Sequence, residues 1–133
     1  MSGAVRHYLF RSGAVAAALA VLLALLFALR GAAPIGFALL GWAPMALLGV
    51  GGGAWAVSRF GRPGPAFPLA VLTCILLRLV LGLGGLALAA WVGQVVAYLA
   101  GSLATFATMQ AFEMVWFWRR NRLDATASAT LTR

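Results

Sequence analysis

AFPLAVLTCILLRLVLGLGGLALAAWVGQVVAYLAGSLATFATMQAFEMVWFW, residues 66–118, decides the fold of this chain. The stretch is interrupted mainly by Arg78, Gln94 and Glu113. A bilayer crossing needs roughly 20 apolar residues as helix, so the run is too long for one crossing and fits two. The break between them should fall at Trp91-Val92-Gly93-Gln94, where an interfacial aromatic, a flexible glycine and a polar side chain follow one another. This predicts one span over about 67–90 and another over about 95–118.

Working back toward the N-terminus, Ser58-Arg59-Phe60-Gly61-Arg62-Pro63-Gly64-Pro65 is the clearest loop, with Gly and Pro alternating between arginines. Before it, residues 35–57 read as a Gly-rich span containing Pro44, which should kink it or open its hydrogen-bond ladder. Arg30-Gly31-Ala32-Ala33-Pro34 reads as a turn, and residues 12–29 as an uncharged first span. That span resembles a signal peptide, with cleavage near Ala32–Ala33. Its apolar core of about 17 residues exceeds the usual 7–15, so the sequence favours a retained helix. Residues 1–11 are expected as a short cytoplasmic segment, 12–120 as the membrane domain, and 121–133 as a flexible cytoplasmic tail.

Composition agrees. Of the 133 residues, 64% are hydrophobic and 9% charged, against about 25% charged in soluble domains. The predicted fold class is an all-α integral membrane protein with four transmembrane helices, arranged as two antiparallel hairpins. Arg6, Arg11, Arg59, Arg62, Arg119, Arg120, Arg122 and Arg133 gather at one side of this layout, and Arg30 alone marks the other. Positive residues stay cytoplasmic, so both termini are expected inside. Arginines flanking apolar runs are topology signals, and the net charge of +8 is not read as nucleic-acid binding. A multi-pass protein of a bacterial inner membrane is the expected setting.

Helices pack in lipid where small side chains let backbones approach. The first span offers Gly13, Ala17, Ala20, Ala24 and Ala28 at helical spacing. The second offers Gly41, Gly49, Gly52 and Ala56, with Gly49 and Gly53 at the GxxxG spacing. The third offers Cys74, Arg78, Gly82, Gly85 and Ala89. Trp42, Trp55, Trp91, Trp116 and Trp118 read as interfacial anchors.

Arg78 is the most informative side chain. It lies about 12 positions into its span, near mid-bilayer at ~1.5 Å per residue. An arginine there costs roughly 2.5–3.5 kcal/mol on insertion scales and normally faces protein or water. Glu113, the one acidic residue within a span, lies about five residues from the inner end. On a helical wheel it shares a face with Tyr98, Ser102, Thr105 and Met109. Snorkelling to the headgroups is the plainer alternative for both charges. There is no nucleophile–base pair, metal-ligand cluster or phosphate loop, so neither enzyme activity nor a cofactor or metal is expected. Cys74 alone cannot form an internal disulfide.

The layout resembles the ATP synthase subunit I family, small four-span proteins encoded beside bacterial F-type ATP synthases. The likeness lies in Gly36-Phe37-Ala38-Leu39-Leu40-Gly41, the Arg59–Arg62 loop, the lone basic residue Arg78, and Glu113-Met114-Val115-Trp116-Phe117-Trp118-Arg119-Arg120. It implies an accessory protein that helps assemble or stabilise the rotor c-ring, with Arg78 pairing a mid-membrane carboxylate of the rotor. Two other readings stay open. One is an oligomeric ion transporter or channel component with Arg78, Gln94, Tyr98, Ser102, Thr105 and Glu113 along a polar path. The other is a holin-like or structural protein. The expected partners are the bilayer and other membrane subunits, either the c-ring or further copies of this chain.

Overall fold

The structure is a computed structural model that describes residues 3–61 and 64–131, with side chains through Leu123. Arg62 and Arg133, two of the arginines that mark the expected cytoplasmic side, lie outside the described residues. Four apolar helical stretches, Gly3–Arg30, Ala32–Arg59, Ala66–Val92 and Val95–Leu123, are long enough to cross a membrane. The chain is an all-α, four-helix membrane protein.

Helix α1 covers Gly3–Phe27 and tightens into a 3₁₀ turn over Ala28–Arg30. It therefore begins well before position 12. Nothing between Gly3 and Arg11 breaks a helix, and burial of Val5 and Tyr8 fixes that first part. Gly31, at φ 102°, makes the connection, and α2 runs over Ala32–Leu47. Pro34 sits in its first turn, where a missing N–H costs nothing because the first amides have no helical partner anyway. The chain does not break at Pro44. It widens one turn later into a π-turn over Leu48–Gly52, and α3 completes the second crossing over Gly53–Arg59. Glycines at 49, 51 and 52 make the widening inexpensive, and side chains from other helices use the carbonyls there.

Helix α4 spans Ala66–Val92 and ends on Gly93 at φ 76°, as the 91–94 break requires. The Gly93 amide donates to the Ala90 carbonyl at 3.2 Å and the Gln94 amide to that of Ala89 at 2.8 Å. This pairing satisfies the last carbonyls of the helix through a left-handed glycine. Helix α5 covers Val95–Leu131, so the backbone continues as helix through most of the segment expected to be a flexible tail. No Gly or Pro occurs between Arg119 and Leu131, and Arg, Leu and Ala there favour helix.

The closest pairing is α2 against α5. A side chain at Gly41 would run into the backbone of Tyr98 and Ser102, and one at Gly101 into that of Ala38. The other expected packing glycines also stand in contact. Gly49 meets Met109, Gly53 the Tyr8 ring, Gly82 Met45, and Gly85 the Tyr98 ring. Gly49 and Gly53 face different helices, because the π-turn lies between them. The small-residue stripe of α1 is a correction. Its buried face is Val5, Tyr8, Ser12, Ala16, Leu23 and Phe27, while Ala17 and Ala28 are exposed. The Tyr8 hydroxyl gains an acceptor across the bundle, the Gly49 carbonyl, whereas Ser12 donates to the Tyr8 carbonyl of its own helix at 2.8 Å and alanine is as content in lipid. Trp42 is a second correction. Its indole N–H donates to the Ala16 carbonyl at 2.9 Å, so it ties α1 to α2 within the bundle.

The aromatic contacts locate the ends. Tyr8 and His7 pack on Trp116, Tyr8 on Phe112, and Phe60 and Phe67 on Phe117. The start of α1, the connection after α3 and the 112–117 part of α5 thus share one end of the bundle. Leu23, Phe27, Ala38 and Ala97 pack together at the other.

Candidate functional site: a buried ion pair beside a π-turn

Arg78 sits at the middle of α4 and is only 2% exposed. Of its stripe-mates, Cys74 and Ala89 are also buried and Gly82 and Gly85 are half-buried, so α4 turns its small-residue seam inward as expected. Small neighbours leave room for the long side chain to run inside the bundle toward α5 rather than along the lipid face. Glu113, 13% exposed, receives the guanidinium in a salt bridge through Nη2. Gln110, one helical turn earlier on α5, accepts from Nη1 at 2.8 Å. Nη2 also reaches the backbone carbonyl of Leu48 at 3.3 Å.

This arrangement answers the cost of burial. A guanidinium in an apolar interior needs a counter-ion and acceptors for its donors. Glu113 supplies the charge, and Gln110 and Leu48 supply acceptors. Leu48 opens the π-turn, and the next residue is used as well: the Tyr8 hydroxyl donates to the Gly49 carbonyl at 3.0 Å. Side chains from α1 and α4 therefore hold the irregular turn from two directions. Irregular backbone at membrane depth is tolerated where protein satisfies it, and π-turns often mark functional positions. Arg78 Nε is the one buried side-chain nitrogen or oxygen among the described residues with no hydrogen-bond partner.

The polar stripe of α5 has another role. Tyr98, Ser102 and Thr105 are buried, and so is Met109. The Tyr98 hydroxyl donates to the Gly82 carbonyl at 3.0 Å, the Ser102 hydroxyl to that of Leu99 at 3.4 Å, and the Thr105 hydroxyl to that of Gly101 at 2.6 Å. These side chains are committed to backbone acceptors where α5 meets its neighbours. Gln94 stands in the α4–α5 turn, more than four helical turns along α5 from Glu113 at 3.6 residues per turn. The structure thus brings Arg78 and Glu113 together and leaves Gln94 apart from them.

Gln110, Tyr8 and the Leu48 carbonyl belong to the site, and sequence reading did not single them out. Gln110 had a signal: it lies three residues before Glu113, a spacing that places both on one helix face. The Leu48 carbonyl had none, since a backbone group becomes available only when a helix widens.

Arg78 also stands between two clefts, one walled by α3, α4 and α5 and the other by α4, α5 and Met45 of α2. One of about 450 Å³ lies toward the end of the bundle that carries Phe67 and Phe117. The other, of about 230 Å³, lies toward Tyr98. Leu72 and Met114, both exposed, flank the larger one. Among the described residues no three His, Cys, Asp or Glu side chains gather as a metal site. Comparison with protein-family models, with curated proteins and with solved structures finds no match to this chain, so its function rests on the site itself.

Proposed function

We propose that this chain is an accessory protein of a bacterial inner membrane, with both termini cytoplasmic, that assists assembly or stability of the F-type ATP synthase rotor c-ring. The resemblance to ATP synthase subunit I suggests the client. The observation that carries the reading is the buried Arg78–Glu113 pair at the middle of α4, beside two clefts that α4 and α5 help to wall. A charge that deep is expensive unless it meets a partner, and such residues mark sites of function in membrane proteins. Glu113 acts as the resting counter-ion. A rotor helix carries a mid-membrane carboxylate, and during assembly that group takes Glu113's place on Arg78. The exposed leucines of α4 (Leu69, Leu72, Leu76, Leu79 and Leu83) offer the apolar face along which the client helix approaches.

The channel alternative gains no support from Tyr98, Ser102 and Thr105, whose hydroxyls are spent on backbone carbonyls. The test is ring assembly in cells, read on native gels, with the wild-type chain, no chain, Arg78→Leu and Arg78→Lys. Ring yield should fall without the chain and with Arg78→Leu, which cannot pair with a carboxylate. Arg78→Lys should recover part of it, because charge survives without the planar fork. Equal ring yield in all four strains would rule the reading out.

A further inference from the structure

We propose that Tyr8 of α1 is a positioning residue for Arg78 and acts on it through the π-turn. The two side chains take neighbouring carbonyls of that turn. Nη2 of Arg78 donates to Leu48 at 3.3 Å, and the Tyr8 hydroxyl donates to Gly49 at 3.0 Å. In an α-helix the Leu48 carbonyl would be spent on the amide four residues on, that of Gly52. Widening to the i→i+5 spacing frees a carbonyl for a side chain. Arg78 therefore has this acceptor only while the turn stays wide.

The Tyr8 hydroxyl is placed to keep it wide. Besides its bond to Gly49 it abuts Gly53, where an added Cβ would run into the hydroxyl and the ring. The hydroxyl is thus wedged between two residues about one turn apart. Tyr8 is fully buried, and its ring packs on Phe112 and Trp116 of α5, which fix its position. Cys74 of α4 closes the turn from another side, against Gly52. Contacts then run without a gap from the start of α1, through the Gly49 and Leu48 peptides, to Arg78 and on to Glu113. Withdrawing the Tyr8 hydroxyl loosens the ion pair, although the two sites lie on different helices. The inference concerns the pair itself, so it goes beyond the assembly role and does not depend on it.

The experiment uses the full chain in dodecyl maltoside, with isotope-labelled arginine and no rotor subunit present, so its outcome is separate from that of the assembly test. It reads the Nε–H signal of Arg78 by NMR. Arg78 is the one buried arginine among the described residues, and its signal is the one that Arg78→Lys removes. Tyr8→Phe keeps the ring and deletes the hydroxyl. It should move the Arg78 signal and speed its exchange with solvent about threefold to tenfold, the effect of one net hydrogen bond. Gly53→Ala, whose methyl expels the hydroxyl from the turn, should do the same. Ser12→Ala deletes another buried hydroxyl of α1, one spent on its own helix, and should leave the signal unchanged. A purely structural role for the Tyr8 ring predicts no change in Tyr8→Phe. The proposal is overturned if Tyr8→Phe keeps wild-type helical content by circular dichroism together with the wild-type signal and exchange rate. Should Tyr8→Phe lose helical content, the same result in Gly53→Ala overturns it. It is equally overturned if Ser12→Ala moves the signal as far as Tyr8→Phe does.

Discussion

At the scale of single residues, Arg78 and Glu113 are each costly alone and tolerable together. Removing one member of a buried pair leaves an unpaired charge, which costs about 3–5 kcal/mol, whereas replacing both by apolar groups of similar volume is often neutral or better. Arg78→Met alone and Glu113→Leu alone should each lower the thermal unfolding midpoint in detergent. The double variant Arg78→Met/Glu113→Leu should unfold at or above the wild-type midpoint. Losses that simply add would mean that the two side chains are not coupled. The double variant should still fail in ring assembly, because stability returns without the charge that meets a client. Both charged positions stand out in the sequence, since one basic and one acidic residue interrupt otherwise apolar spans. Their depths differ by only about 10 Å at ~1.5 Å rise per residue, which two long side chains can close. Whether they pair with each other or with another subunit, however, depends on how α4 and α5 are rotated.

Between elements, the α2–α5 contact is set by glycines whose missing Cβ lets backbone meet backbone. At Gly41 the obstructing atoms belong to the Tyr98 and Ser102 main chain and cannot swing aside. Gly41→Ala should therefore push the helices apart and destabilise by about 1–3 kcal/mol, the usual cost of overpacking. Gly84, on α4, has nothing within reach of an added Cβ. Gly84→Ala should be neutral, or stabilising by up to about 1 kcal/mol from helix propensity. Unfolding midpoints of the two variants in one detergent check the contrast, and equal effects would remove close packing as the cause. The stripe spacing sets Gly41 apart from Gly84 already in the sequence, but that the Gly41 contact is backbone against backbone is known only once each helix has taken its rotation. The π-turn at Leu48–Gly52 shows the same limit. Pro44 is the visible irregularity, yet the widening occurs at the glycines, where Arg78 and Tyr8 take up the Leu48 and Gly49 carbonyls.

For the whole molecule, the first residues of α1, the connection after α3 and the 112–117 part of α5 meet at one end, for which the charge pattern predicts the cytoplasmic side. In a Cys74→Ala background, a cysteine at Arg59 should react with an impermeant maleimide only from the cytoplasmic side. One at Leu29, which is 99% exposed at the other end, should react only from the opposite side. Labelling of position 59 from outside would reverse the orientation. The four crossings, the break at Gly93 and the arginine-rich side are legible from the residues alone. Each follows from the length of apolar runs, from one glycine able to adopt positive φ, or from where charges fall, and none needs a neighbouring helix. The inward faces of α4 and α5 are legible too, as a small-residue seam and a polar stripe. Only the packed bundle shows that α1 buries Tyr8 and Ser12 while Ala17 and Ala28 stay exposed, and that Arg78 finds Glu113, Gln110 and the Leu48 carbonyl. The reason is the solvent. In water an apolar stripe marks the inward face by contrast with a polar one. In a bilayer the lipid is as apolar as the protein interior, so that contrast disappears. Close approach, hydrogen bonds and charge pairing then set the rotations, and those exist only once the helices stand side by side.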